Sequence, residues 1–185
     1  MKMKAVSFKH ASLKRTMLLF LVLAMAILHV LTAYAASSPD IGKDEAKAIA
    51  LQDAGVKKSK VKKLKCTLEN DHVRKYEVTF RTGKYNYEYA ILPKTGVVVE
   101  MEKKIRKIGK ESGRSALTKK KKKKTAMKEA GAKTVSKLKI KKSKYRGVRI
   151  WKVEFRADGN DYEYKIGLYT GRILEKEREL NDKKY

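Results

Sequence analysis

Six consecutive lysines, Lys119, Lys120, Lys121, Lys122, Lys123 and Lys124, are the densest charge in this sequence. A run of ammonium groups at the start of a helix opposes the helix dipole and repels itself. Such a run is either a solvated face of a basic chain or a candidate polyanion site, kept for attraction to wall polymer, anionic lipid or an acidic protein. Ten further lysines follow the two helical patterns: Lys57, Lys58, Lys60, Lys62 and Lys63 after the first, Lys137, Lys139, Lys141, Lys142 and Lys144 after the second. They would form basic rims.

Other chemistry-bearing residues are sparse. Past residue 35 the chain has one histidine, His72, in the polar stretch Glu69-Asn70-Asp71-His72, and one cysteine, Cys66. Neither has partners at metal-ligand spacing. The segment Gly109–Ser115 lacks the Gly-Lys-Ser/Thr ending of a phosphate loop, and no nucleophile motif occurs. No catalytic residue, cofactor site or metal site is expected. Tyr85, Tyr87 and Tyr89, with Tyr162 and Tyr164, recur every second residue. They fit a sheet's core face or, alternatively, a stacking platform for sugars or single strands. Glu88 with Glu163 and Glu100 with Glu175 read as cross-strand ion-pair partners of nearby lysines, each worth little.

The composition sets the setting. Lys and Arg total 47 against 20 Asp and Glu, for a formal charge of +27. Lysine predominates, and its compact hydrated charge favours diffuse attraction to polyanions over specific readout. Five of the positive charges (Lys2, Lys4, Lys9, Lys14, Arg15) precede the apolar run Met17–Leu31, and Ala33-Tyr34-Ala35 follows with the small-x-small spacing of a cleavage site. Residues 1–35 read as a signal peptide cleaved after Ala35, with an uncleaved N-terminal anchor as the alternative. Export argues against a nucleic-acid partner. A lone Cys66 forms no internal disulfide and alternates with Leu64 and Leu68, as an inward-packing side chain does.

The elements that must carry these residues are duplicated. Tyr76–Glu100 and Trp151–Glu175 share ten of 25 positions at an offset of 75, and Ala54-Gly55 matches Ala130-Gly131 at 76. Each copy opens with a helical pattern. The first has Ile41, Ala46, Ile49, Ala50 and Ala54, with Gly42 as N-cap and Gly55 as stop. The second runs from Thr118 as N-cap to Gly131, through Ala126, Met127 and Ala130. Period-two strands follow: Leu64/Cys66/Leu68, Tyr76/Val78/Phe80, Tyr85–Ile91 and Val97–Met101, then Leu138/Ile140, Trp151/Val153/Phe155, Tyr162–Ile166 and Arg172–Lys176. The fold class is α+β: two tandem modules, each an N-terminal helix packed on a 3–4-stranded antiparallel sheet. The modules fall at 36–104 and 115–185, with a polar linker at 105–114. Modules this small are marginal alone, so the copies should pack together or share a sheet.

A helix ending in Ala-Gly, a Tyr-x-Val-x-Phe strand (Tyr76–Phe80), a Tyr-Glu-Tyr-x-Ile strand (Tyr87–Ile91) and then Lys94-Thr95-Gly96 together resemble the PepSY domain. The resemblance runs over Ile41–Lys103 and again over Leu117–Glu177. It implies an exported or cell-envelope, non-enzymatic protein with a binding or regulatory role toward a secreted or membrane peptidase, and no catalytic residues. The alternative partner is anionic wall polymer or a membrane surface. The second copy departs from the family in placing Lys119–Lys124 where acidic residues usually open the helix.

Overall fold

Ala46 and Ala50, one turn apart, form the buried stripe of helix α1 (Gly42–Asp53) in the computed structural model, which describes residues 39–113 and 115–181. The expected leader, residues 1–35, lies outside the described residues. Asp44 and Glu45 occupy the first turn of α1, where they favour the dipole. Ile41, not Gly42, takes the N-cap position, and no side chain caps the helix. Ala46 and Ala50 are fully buried, while Ile41, Ile49 and Ala54 pack at the edge of the same cluster.

A single turn of 3-10 helix (Lys58–Lys60) leads into four antiparallel strands: β1 (Lys62–Glu69), β2 (Lys75–Arg81), β3 (Tyr85–Ile91) and β4 (Val98–Ile105). Helix α2 (Lys119–Ala130) then precedes β5 (Ser136–Tyr145), β6 (Val148–Ala157), β7 (Asn160–Gly167) and β8 (Ile173–Leu180). Thr118 caps α2 through its hydroxyl, which accepts the Lys121 N–H at 3.3 Å. Gly131 ends it with φ +72°, a left-handed conformation that glycine adopts without Cβ strain.

The strands do not form two sheets. They make one eight-stranded sheet in the order β1-β2-β3-β4-β8-β7-β6-β5, all neighbours antiparallel. β4 and β8 join its halves, with Glu102 opposite Glu177, Met101 opposite Arg178 and Lys103 opposite Lys176. Glu102 and Glu177 are themselves 75 residues apart, so residues at equal offsets lie on either side of a local two-fold between them. Each half would leave an exposed sheet edge at this point. Joining them satisfies those backbone groups and leaves β1 and β5 as the outer strands. Lysines flank both: Lys62, Lys63 and Lys65 on β1 are exposed, as are Lys137, Lys139, Lys141, Lys142 and Lys144 on β5. Charge there discourages edge-to-edge pairing with other chains.

Both helices cover the same face. Tyr76, Val78, Phe80, Tyr87, Tyr89, Ile91 and Met101 pack with Ala46 and Ala50, and Trp151, Val153, Phe155, Tyr162, Tyr164 and Ile166 pack with Ala126. The tyrosine ladder is therefore core: Tyr89 and Tyr164 are 1% and 0% exposed, and Phe80 and Phe155 stack on the neighbouring tyrosines. Helices and strands are crossed at the join. Lys103 of β4 donates to Glu129 of α2 at 3.0 Å, and Arg178 of β8 donates to Asp53 of α1 at 3.0 Å. Cys66 is half-buried against the first cluster, and burial pushes its thiol up, away from reactivity.

The linker is pinned rather than loose. Glu111 tucks its carboxylate under the β7–β8 turn, accepting from the Thr170 N–H and hydroxyl and from Arg172. A Cβ on Gly167 would collide with it. The Trp151 indole N–H donates to the Leu117 carbonyl at 3.0 Å, fixing the chain just before α2.

Candidate functional site

Among the described residues, no helix packs on the sheet's second face. Strand pleat sends every residue between the core aromatics to this side, and many of those residues are glutamates. Register aligns them. Thr79, Glu88, Glu102, Glu177, Glu163 and Glu154 stand side by side on β2, β3, β4, β8, β7 and β6. A protein of +27 thus presents five adjacent carboxylates across the middle of its open face. Glu100, opposite Glu179, and Glu175, opposite Lys104, flank the row on either side.

The two halves meet this charge differently. In the second half, Lys152 Nζ lies 2.6 Å from Glu154 and 2.7 Å from Glu163. Lys165 Nζ lies 3.5 Å from Glu163 and 3.0 Å from Glu177, and also contacts Glu175. Glu175 is 1% exposed, and the Tyr145 hydroxyl donates to its other oxygen. Burial opposes the Glu175 charge, but hydrogen bonds with Glu177, Lys165 and Tyr145 overcome it and hold the carboxyl below its usual range. Burial likewise opposes the Lys165 charge, and its carboxylate partners reverse that effect and raise it. The sequence expectation of a weak surface pair at Glu175 is therefore corrected. This is a buried ion network, closed over by the β5–β6 turn, whose Arg146 donates to the Ile105 carbonyl at 2.9 Å.

In the first half the carboxylates are open. A groove of about 360 Å³ runs over Ala90, bordered by Glu77, Glu88, Glu100 and Glu102. Seven glutamates line it in all. Lys75 is 3.9 Å from Glu100, and Lys104, outside the groove, is 2.5 Å from Glu102. A shared hydrogen bond with Glu69, then burial, push the Glu77 carboxyl up to about 7, as crowded like charges do. The carboxylate oxygens of Glu102, Glu175 and Glu177 lie within 4.8 Å of one another, a spacing that could hold a cation. Lys104 and Lys165 already bring ammonium groups to them.

The six lysines singled out from sequence do not share one environment. Lys119, Lys120, Lys121 and Lys124 are exposed and Lys123 is half-buried, but Lys122 is fully buried. Lys122 stands four residues before buried Ala126, on the helix face turned to the sheet. Its place matches that of Ala46 at the helix offset of 76. The stem crosses the interface and Nζ donates to the Gly167 carbonyl at 2.9 Å. Its ammonium is withheld from any polyanion, and burial lowers its pKa to about 8. His72 is exposed in the β1–β2 turn. The glutamate row escaped the sequence reading, although its signal was present: Glu77, Glu88, Glu154 and Glu163 alternate with the very aromatics that mark the core.

With this geometry in place, a family comparison can be set on the fold. The family model described as "Peptidase propeptide and YPEB domain" (PepSY) matches residues 117–177, the stretch from the start of α2 through most of β8. No curated protein matches the chain. Among solved structures, a candidate lipoprotein from Clostridium difficile 630 is 18% identical, over 77% of this chain and 97% of its own, with a TM-score of 0.32. The C-terminal domain of YpeB from Bacillus megaterium is 11% identical, over 78% and 65%, with a TM-score of 0.48. A BLIP-like protein from Bacteroides fragilis NCTC 9343 is 11% identical, over 78% and 92%, with a TM-score of 0.27. Among the described residues, no helix is long and apolar enough to cross a membrane.

Proposed function

We propose that this chain is an exported, non-enzymatic binding protein of two tandem PepSY-type modules, 36–104 and 115–185, that modulates a secreted or envelope peptidase through the open face of its sheet. The observation that carries the reading is the PepSY match over residues 117–177. Two further facts support it. Residues 76–101 repeat residues 151–176 in sequence and hold the same strand positions on the other side of the β4–β8 join. The described part of the open face is rich in carboxylates and ammonium groups, which suit recognition of a charged partner. Secretion follows from the leader pattern of residues 1–35. The purified protein, added to secreted peptidases of its own cells, should slow casein hydrolysis several-fold and be retained by the peptidase it slows. Unchanged hydrolysis with no peptidase retained would refute the reading.

A second reading rests on the exposed lysines of α2 and β5, which would hold the protein at anionic wall polymer or lipid. Binding to vesicles containing about 30% anionic lipid should then fall steeply between low and physiological salt. It should weaken further when Lys119, Lys120, Lys121, Lys123 and Lys124 become Gln. Salt-insensitive binding would sink it.

A further inference from the structure

Three carboxylates recur on the open face at an offset of 75: Glu88, Glu100 and Glu102 match Glu163, Glu175 and Glu177. Their register matches as well. Glu88 faces Glu102 across β3 and β4 as Glu163 faces Glu177 across β7 and β8, and Ala90 faces Glu100 as Lys165 faces Glu175. In the second half the three carboxylates close on one ammonium, Lys165 Nζ. In the first half Ala90 stands at the matching place, and its methyl reaches none of them. The second ammonium, Lys152, is matched by Glu77, which adds a carboxylate instead. The first half therefore keeps the carboxylates of an ammonium clamp and lacks the ammonium.

The space the ammonium would fill is open. The groove lies over Ala90 and between Glu88, Glu100 and Glu102. Over Lys165 the corresponding space is roofed by Tyr145, whose ring centre is 5.1 Å from Nζ. The turn that corresponds in the first half, residues 70–74, contains no tyrosine. Nearby cations do not substitute for the missing one. Glu88 makes no ion pair among the described residues, Lys75 is 3.9 Å from Glu100, and Lys104 is taken up by Glu102 from outside the groove.

We infer that the first half of the open face receives the side-chain ammonium of a lysine presented by a partner polypeptide, seated over Ala90 between Glu88, Glu100 and Glu102. Lysine suits the site because its charge is a compact point with three donors on a four-carbon stem. The stem lies along the sheet as that of Lys165 does, and the three donors meet three carboxylates. The groove is larger than one lysine side chain and continues toward Glu179, which gives room for the flanking residues of an extended segment. The inference stands on the matched carboxylates and goes beyond the peptidase reading, which could fail without it.

The test is calorimetric titration of the purified protein with a blocked peptide, acetyl-Gly-Lys-Gly-Lys-Gly-amide, at low salt. The same peptide with both lysines acetylated and the free diamine cadaverine serve as separate arms. Acetylation should weaken binding at least tenfold, and cadaverine should bind more weakly than the peptide. Ala90→Lys supplies its own ammonium, as Lys165 does, and should abolish binding. Glu88→Gln, at an exposed position where the fold is not at stake, should weaken it at least tenfold. Undiminished binding of the acetylated peptide, or wild-type affinity in Glu88→Gln, would overturn the inference. Cadaverine binding as tightly as the peptide would overturn its polypeptide component.

Discussion

Replacing Lys165 with methionine should destabilise the protein by about 3–5 kcal/mol at neutral pH, the usual cost of stripping one partner from a buried ion pair. The Glu175 side chain is 2% exposed and has Lys165 and Tyr145 as its donors. Methionine fills the volume of the lysine stem, so the loss would be electrostatic rather than a cavity. Glu163 and Glu177 would lose the same counter-ion. The pH dependence gives the cause away. In the native protein the Glu175 carboxyl is held below its usual range, so its contribution is present at neutral pH and fades as pH falls through that lowered value. Lys165 is held above its usual range, so its contribution is intact below the unfolded lysine value and is lost only in strong alkali. Without Lys165, burial pushes Glu175 up against only the remaining hydrogen bonds with Glu177 and Tyr145. The variant should then gain stability as pH falls from 7 to 5, and the gap to the native protein should narrow. A second change, Glu175→Leu, should recover most of the loss. Lys152→Met, whose partners Glu154 and Glu163 stay in reach of water, should cost less than about 1 kcal/mol. Urea unfolding at both pH values decides this. A loss below about 1 kcal/mol for Lys165→Met at pH 7 would show that Tyr145 and water already satisfy Glu175.

The order of elements was readable because each rests on a local pattern. The alanine stripe of α1, the Thr118 cap, the Gly131 stop and the period-two aromatics are set by residues a few positions apart, and the structure places them as those patterns require. The duplication then made the second set legible from the first. Less was legible wherever the outcome depended on pairing between distant strands. The β4–β8 join brings Glu102 to Glu177 across 75 residues of chain, and only that register turns scattered glutamates into a row. Glu175 could not be known as buried, because the side chain that roofs it, Tyr145, comes from a hairpin on the far outer strand. The linker held a different surprise. Composition marks residues 105–114 as a polar linker, yet Glu111 is bound by three groups of the β7–β8 turn.

Lys122 shows the same limit at a single residue, and it leads to a gain rather than a loss. Lys122→Met should stabilise the protein by about 1–3 kcal/mol at pH 7, because an apolar side chain of similar length removes a desolvated charge. In the fold the ammonium is fully buried, with burial lowering its pKa to about 8 against the attraction of Glu111. An unfolded lysine titrates near about 10.4. Below about pH 8 both states carry the proton and the full cost is present. Between there and about pH 10.4 the unfolded chain binds more protons than the folded one, so native stability should rise with pH across that window. Methionine removes this dependence. The variant's advantage should therefore be largest at pH 7 and shrink toward pH 10, in a difference measurement that cancels the titration of every other lysine and tyrosine. Deleting the ammonium strands no acceptor, since the Gly167 carbonyl keeps the Gly171 N–H at 3.1 Å. Lys122→Ala imitates Ala46 but leaves the stem's volume empty, and it should gain less. A Lys122→Met protein less stable than the native one at pH 7 would mean that the bond to Gly167 and the pull of Glu111 outweigh burial. The substitution also leaves all five other lysines of the run in place. Loss of vesicle binding in this variant would then trace to the fold of α2 and not to the charge it displays.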